Sequence, residues 1–327
     1  MMKVNKDAYH PELRKGHGPL LSINFLLSRS WGVKVFRFFD KLSKGQKLKG
    51  YHNETRYIPS QHGGPDIRVR IIKPHGITEN LPIFCYLHGG GYIVGSPETS
   101  FFLLKRMMET RPCIIVAPDY RKAFDAPYPG GFDDCYDTLL WARDHAEEIQ
   151  GRADAIMVGG HSAGGGMTAA VTLKARDTQD LKIAFQMPIY PMIDDSQSNP
   201  SAQNVGTPLW DAKTNAMGWG AYLKGLHEQG IEIPAYAAPI RNTDYRNFPP
   251  TLTFVGSMDP FRDETLAYVD ALKKAQIPLA FELFEGGYHG FEVVKAKSSI
   301  GQAAWKFFLD NYARFYDAYC VGKVQPA

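Results

Sequence analysis

The stretch Ala155-Ile156-Met157-Val158-Gly159-Gly160-His161-Ser162-Ala163-Gly164-Gly165-Gly166 decides how the rest of the chain is read. The apolar run Ala155 to Val158 predicts a buried strand, and the Ala, Leu and Met content of Met167 to Ala175 predicts a helix. Gly160-x-Ser162-x-Gly164 therefore falls at a strand–turn–helix junction. That is the context of a nucleophile elbow, a turn too tight for side chains two residues either side of its serine. The same glycines fit a looser dinucleotide pattern, Gly164-x-Gly166-x-x-Ala169. That pattern would begin inside the helix, however, and a pyrophosphate loop must open a helix to present its N–H groups. No Gly-Lys-Ser/Thr follows, which excludes a P-loop.

Outward from this stretch, strands alternate with helices. Thr55 to Pro59 and Ile67 to Lys73 show period-2 patterning and flank Gly63-Gly64-Pro65, which predicts a hairpin. Leu81 to Leu87, Cys113 to Ala117, Ala155 to Val158, Ile183 to Ile189, Leu252 to Val255 and Leu279 to Phe284 read as strands buried on both faces. Helical patterns lie near Glu98 to Glu109, Asp134 to Glu148, Ser162 to Arg176, Arg262 to Gln276 and Ile300 to Tyr316. This order predicts an α/β fold: a mostly parallel sheet with helices on both faces and antiparallel edge strands from the hairpin. Residues 1 to about 50 read as amphipathic helices that precede any strand. From Pro191 to about Pro239 no strand is expected, and Trp210, Met217, Trp219, Tyr222, Leu223 and Leu226 predict one or two helices. An insertion at a strand's C-terminal end is where a lid would cover a site. Val321 to Ala327 reads as a loose tail.

Composition narrows the class. A hydrophobic content of 44% and a charged content of 22% over 327 residues describe an ordinary globular chain with ample core. A net charge of +3 gives no electrostatic case for nucleic acid. Lys34, Arg37, Lys41, Lys44, Lys47 and Lys49 make the N-terminal part locally basic. They alternate with Phe36, Phe38, Phe39 and Leu42, which reads as a helix with a solvated face rather than a membrane-surface anchor. Met1 to Asp7 lacks the apolar core of a signal peptide, and Leu20 to Leu27 is too short to span a bilayer. Cys85, Cys113, Cys135 and Cys320 form no C-x-x-C, so neither a zinc site nor a redox pair is expected; the cytoplasm is the default location.

A serine hydroxyl is a poor nucleophile at neutral pH, so Ser162 needs a base and a group to orient that base. In a sheet of this type both come from loops after later strands, in the order Ser, acid, His. After the strand ending at Val255 comes Gly256-Ser257-Met258-Asp259-Pro260, and after the strand ending at Phe284 comes Glu285-Gly286-Gly287-Tyr288-His289-Gly290-Phe291. His289 is the only histidine beyond His227. Asp263 rivals Asp259 as the acid, but fits better at the start of the following helix, where a carboxylate satisfies exposed N–H groups. A developing oxyanion needs donors. His88-Gly89-Gly90-Gly91 follows a strand directly, so the N–H groups of Gly89 and Gly90 can face a site unobstructed, with that of Ala163 as a third donor. His88 and His161 read as braces of the loop and the turn.

With these motifs in place, the chain resembles the hormone-sensitive-lipase-like family of α/β-hydrolases, which includes bacterial acetyl esterases and carboxylesterases. The resemblance rests on His88-Gly89-Gly90-Gly91-Tyr92, Asp119-Tyr120-Arg121, Gly160-His161-Ser162-Ala163-Gly164-Gly165, Asp259-Pro260-Phe261-Arg262-Asp263-Glu264 and His289-Gly290-Phe291, and covers the chain from about residue 55 onward. It implies Ser162, Asp259 and His289 as a triad and Gly89, Gly90 and Ala163 as an oxyanion hole. It also implies N-terminal cap helices over residues 1–50, a hydrolase core over 51–190 and 240–327, and an inserted cap segment over 191–239. Two departures stand out: His161 where the family has Asp or Thr, and Lys122-Ala123-Phe124-Asp125 where it has Leu-Ala-Pro-Glu.

The expected activity is hydrolysis of short-chain carboxylic esters through an acyl-enzyme, with no metal or cofactor and a small-molecule ester as partner. Tyr92, Tyr190, Met192, Phe25, Trp210 and Trp219 are the residues expected to line the pocket between elbow and cap. A hydrolase of another substrate on the same scaffold (an arylformamidase, a sugar or antibiotic deacetylase, a lactonase) is the alternative. A non-catalytic ligand-binding member of the fold is a further one. The resemblance also carries a homodimer, paired through the sheet's last strand or helix, as an expectation.

Overall fold

The computed structural model describes residues 2–3, 5–15 and 17–321. The chain opens with β1 (Met2–Lys3), α1 (His17–Leu27) and α2 (Ser30–Ser43), then forms β2 (His52–Ile58), β3 (Ile67–Lys73) and β4 (Leu81–Leu87). It continues through α3 (Phe101–Thr110), β5 (Ile114–Pro118), α4 (Gly130–Asp144), β6 (Gly151–His161), α5 (Ala163–Thr178) and β7 (Ile183–Ile189). The segment β8 (Asn204–Val205), α6 (Ala212–Tyr222) and α7 (Lys224–Gln229) follows. The chain closes with β9 (Thr251–Gly256), α8 (Arg262–Lys274), β10 (Leu279–Phe284), α9 (Phe291–Val294) and α10 (Ser299–Tyr316).

Eight strands make one sheet in the order β10-β9-β7-β6-β4-β5-β3-β2. The pairs β2·β3 and β3·β5 are antiparallel and all others parallel, so β3 alone runs against the rest. The hairpin thus supplies the expected antiparallel pairing, but the strand at the very edge points the same way as the parallel majority. Strands β4 and β5 are buried along their whole length because helices cover both faces, which is why their sequences are continuous apolar runs. Parallel strands end on the same side. The loops after β4, β6, β9 and β10 therefore emerge together at one rim of the sheet.

The segment 191–239 was expected to carry no strand, and here the structure differs. Asn204 and Val205 pair in parallel with Met2 and Lys3. A two-residue pairing is too short to leave a period-2 signal, and its partner lies two hundred residues away in the chain. Helix α1 packs on both α2 and α6, and the Asn24 amide donates to the Thr207 carbonyl at 2.5 Å, so the two segments touch. Of the expected tail, Val321 ends a π-helical turn over Asp317–Val321, and residues 322–327 lie outside those described.

Helix α2 also departs from expectation. It is amphipathic, but Trp31, Val35, Phe38, Phe39 and Leu42 are exposed, while Gly32 and Val33 are buried and Arg37 and Asp40 half-buried. A helical period identifies two faces; it does not say which faces inward.

Candidate active site

The elbow is set by backbone contact. Ser162, at φ 60 and ψ −122, caps α5 in a conformation that L-residues rarely adopt. A Cβ on Gly160 would stand 2.2 Å from the Leu87 carbonyl oxygen, and one on Gly164 would stand 2.0 Å from the same atom. The turn thus presses against the end of β4, and only glycine fits at either position. The Ser162 N–H donates to the Ile189 carbonyl at 3.0 Å. Its own carbonyl accepts from the N–H groups of Gly166 at 2.9 Å and Met192 at 3.1 Å. The dinucleotide reading finds no support in this geometry, since Gly164 and Gly166 lie inside α5 and pack against backbone.

The loops after β9 and β10 meet the elbow. The His289 ring lies with Nε2 3.0 Å from Ser162 Oγ and Nδ1 2.9 Å from Asp259 Oδ2. Asp259 has no solvent exposure, and its second oxygen accepts the Phe261 N–H at 2.9 Å, so the carboxylate is oriented from both ends. Rings of Tyr190 and Phe261 meet the imidazole edge-on at 4.9 and 5.0 Å between centroids. Asp263 lies elsewhere. It is the second residue of α8, takes the Ser201 N–H at 2.8 Å and Arg262 Nε at 2.7 Å, and holds its carboxyl below the usual range through these bonds despite partial burial.

The glycine loop after β4 lies against the same turn. A Cβ on Gly89 would be 2.9 Å from the His161 carbonyl and 3.6 Å from Ser162 Cβ. Gly90, at φ 121, turns its carbonyl to the N–H groups of Ile93 and Val94, both at 3.0 Å. Among the described residues, the N–H groups of Gly89, Gly90 and Ala163 donate to no protein carbonyl. His88 braces this loop: its Nδ1 is 2.7 Å from the Gly89 carbonyl and its ring stacks on Tyr120 at 4.1 Å. Burial, then the nearby Lys122 ammonium, pushes its pKa well down; the neutral ring must donate from Nδ1 because a carbonyl only accepts. His161 packs edge-on against Tyr190 and Phe308, and burial lowers its pKa to about 3, with the neighbouring His289 adding to the effect.

The six residues expected around the pocket are spread over several roles. Tyr92 is buried, donates its hydroxyl to the Met192 carbonyl at 2.7 Å, and stacks on Tyr222 with Trp219 at its edge. Trp210 covers the glycine loop, since a Cβ on Gly91 would be 2.0 Å from its indole. Tyr190 supports the imidazole, and its hydroxyl donates to Glu292 at 2.5 Å. Phe25 is more than half exposed, with the Arg29 guanidinium 3.6 Å above its ring.

Three features escaped the sequence. Glu292 is buried behind Tyr190, and desolvation pushes its carboxyl up to about 7 despite that hydroxyl's hydrogen bond. In sequence it reads as a surface acid one residue past His289-Gly290-Phe291. Of the departures noted above, Asp125 ties the core to α2, whereas Lys122 pairs within its own loop with Asp119, which also holds Lys44 just past that helix. Lys122 Nζ is 3.1 Å from Asp119 Oδ1, Lys44 Nζ is 2.5 Å from Asp119 Oδ2, and Arg37 pairs with Asp125. Asp40 accepts the Gly95 N–H at 2.6 Å in the same region. Arg37 lies 88 residues from Asp125 and Asp40 lies 55 from Gly95, separations beyond any local pattern.

Among the described residues, no group of three or more His, Cys, Asp or Glu side chains could hold a metal ion, and no helix is long and apolar enough to cross a membrane. A family model described as the alpha/beta hydrolase fold matches residues 84–293. Carboxylesterase NlhH of Mycobacterium tuberculosis is 32% identical over 231 residues, covering 70% of this chain and 72% of its own. Esterase LipI of the same organism is 31% identical over 293 residues and 88% of each chain. Among solved structures, a bacterial heroin esterase superimposes with a TM-score of 0.84 at 28% identity, over 95% of this chain and 99% of its own.

Proposed function

The chain belongs to the alpha/beta hydrolase fold family, in its hormone-sensitive-lipase-like group, and is a carboxylic ester hydrolase; on that premise we propose that Ser162, His289 and Asp259 cleave short-chain esters through an acyl-enzyme. The observation that supports this most is the unbroken relay from Asp259 to His289 at 2.9 Å and from His289 to Ser162 at 3.0 Å.

His289 Nε2 takes the Ser162 proton as the hydroxyl attacks the ester carbonyl. Asp259, accepting from Nδ1–H, fixes the tautomer and stabilises the imidazolium. The carbonyl oxygen becomes an oxyanion held by the N–H groups of Gly89, Gly90 and Ala163. Their lack of a protein acceptor supports this role, and a missing donor of this kind typically costs about 10²–10³ in turnover. His289 then protonates the departing alcohol, and water repeats the sequence on the acyl-enzyme. Residues 1–50 and 191–239 act as the cap, a division supported by the contact of α1 with α6. Indole and phenol rings between glycine loop and cap favour short acyl chains. A series of p-nitrophenyl esters from acetyl to dodecanoyl tests that preference, which fails if turnover rises with chain length. Four buried, unpaired cysteines support a reducing compartment, the cytoplasm.

The direct test is the burst of p-nitrophenol from p-nitrophenyl acetate. Wild type releases about one equivalent per enzyme before steady state, whereas Ser162→Ala releases none. An undiminished burst in the variant contradicts the assignment.

A further inference from the structure

Helix α2 presents five large apolar side chains to solvent: Trp31 (53% exposed), Val35 (41%), Phe38 (58%), Phe39 (61%) and Leu42 (62%). Their spacing of four, seven, eight and eleven residues from Trp31 puts them on one side of the helix. Its rotation is fixed from the other side. A Cβ on Gly32 would stand 2.1 Å from the Leu26 carbonyl, so α2 crosses α1 at backbone distance. Arg37 reaches Asp125, Asp40 takes the Gly95 N–H, and the Ser43 hydroxyl lies 3.3 Å from that of Ser96. The helix is thus attached by these polar groups together with Val33 and Phe36, which pack on the core, and among the described residues its opposite, aromatic stripe stays exposed. A soluble chain gains nothing from this arrangement unless something else covers the stripe.

Charge identifies what that is. Residues 29–49 carry seven basic side chains (Arg29, Lys34, Arg37, Lys41, Lys44, Lys47, Lys49) against one acid, Asp40, which faces inward. Lys34 and Lys41 are exposed along one flank of the stripe, and Lys47 and Lys49 are exposed just beyond the helix. A second copy docking here would bring two basic faces together, which opposes association. Rings of Trp and Phe beside exposed lysines fit a surface whose interior is apolar and whose outer layer is anionic. We propose that α2 docks the protein onto an anionic lipid surface, with Trp31, Phe38, Phe39 and Leu42 entering the headgroup boundary and Lys34 and Lys41 meeting phosphates. Because Arg37, Asp40 and Lys44 join α2 to the loops around Gly95 and Asp119, docking would hold the rim of the sheet near lipid-dissolved esters.

Cosedimentation of the full chain with vesicles tests this without turnover, so its failure and that of the catalytic reading are separate results. One set of vesicles contains phosphatidylglycerol with phosphatidylcholine, the other phosphatidylcholine alone. The protein should pellet with the anionic vesicles at about 0.1 M salt and be released at about 1 M. The double variants Phe38→Ser/Phe39→Ser and Lys34→Glu/Lys41→Glu should each weaken binding at least about tenfold. Both should keep the wild-type rate on p-nitrophenyl acetate, which checks that they fold. A blue shift of Trp31 fluorescence on vesicles, absent in Trp31→Leu, would add support. No pelleting of wild type overturns the proposal, as does pelleting that both variants retain. A dimer that Phe38→Ser/Phe39→Ser turns into monomers, without vesicle binding by wild type, overturns it in favour of a protein interface.

Discussion

Around Ser162, rings and glycine backbone enclose a hydrogen-bonded triad; on α2, Arg37 and Asp40 turn inward beside Val33 and Phe36, while Trp31, Phe38, Phe39 and Leu42 face water. The elbow owes its shape to contacts that cannot stretch. Gly160 and Gly164 touch the backbone of Leu87, and Asp259 is held at both oxygens. The N-terminal helix owes its position to Arg37, Asp40 and, just past its end, Lys44, whose own ammonium is partly solvated although its partner Asp119 is nearly buried. Steric constraints of the first kind are indifferent to salt, whereas ionic ones of the second kind weaken with it. The two regions should therefore respond differently to substitution and to solvent.

The largest contrast concerns the two acids after β9. Asp259→Asn should lower kcat by about 10⁴ by spoiling the His289 tautomer, whereas Asp263→Asn should cost less than about tenfold. Equal losses in steady-state assays would break the distinction between orienting acid and helix-start acid. Next comes the elbow. Gly164→Ala should destabilise the fold by more than about 3 kcal/mol, because the new methyl meets a backbone oxygen and not a flexible side chain. Urea unfolding indistinguishable from wild type would show that the turn has room.

Glu292 gives an effect of similar size that depends on pH. Its carboxyl ionises at about 7 in the folded protein against 4.5 without burial, so the folded state binds the proton more tightly. Stability from this source is complete below about 4.5 and drains as pH rises through 7. Glu292→Gln should remove that slope, gaining relative to wild type across this window up to about 3 kcal/mol. Denaturation midpoints at pH 5 and pH 8 read the difference. His161 acts in the opposite sense: kept neutral with a pKa of about 3, it withdraws stability as pH falls below 6.5. The smallest effect belongs to the α2 attachment. Lys44→Met should cost about 1 kcal/mol at low salt and less at about 1 M, a trend the elbow variant should not share.

What is legible in the sequence follows the same division. Ser162, Asp259 and His289 lie together because each follows a strand of one parallel sheet, and strand ends are marked by apolar runs meeting Gly and Pro. The pairing of Met2 and Lys3 with Asn204 and Val205 leaves no pattern, being two residues long. The orientation of α2 is hidden for another reason. Its period shows two faces, and the rule that apolar residues turn inward fails where Asp119, Asp125 and Gly95 offer better partners to the polar side. Lys122 and Asp125 read as departures from the family, and only in the fold does Asp125 become an anchor of that helix through Arg37, while Lys122 pairs with Asp119. Glu292 is silent because burial of a lone acid depends on what packs around it, here Tyr190 and Trp305.

The central claim is that one serine out of the chain carries the acyl group. Labelling with a fluorophosphonate, followed by mass mapping of peptides, tests it most directly. A single adduct on Ser162, lost in Ser162→Ala and slowed strongly in His289→Ala, is the predicted result. An adduct on another residue, or one that forms at the same rate without the imidazole, would contradict it.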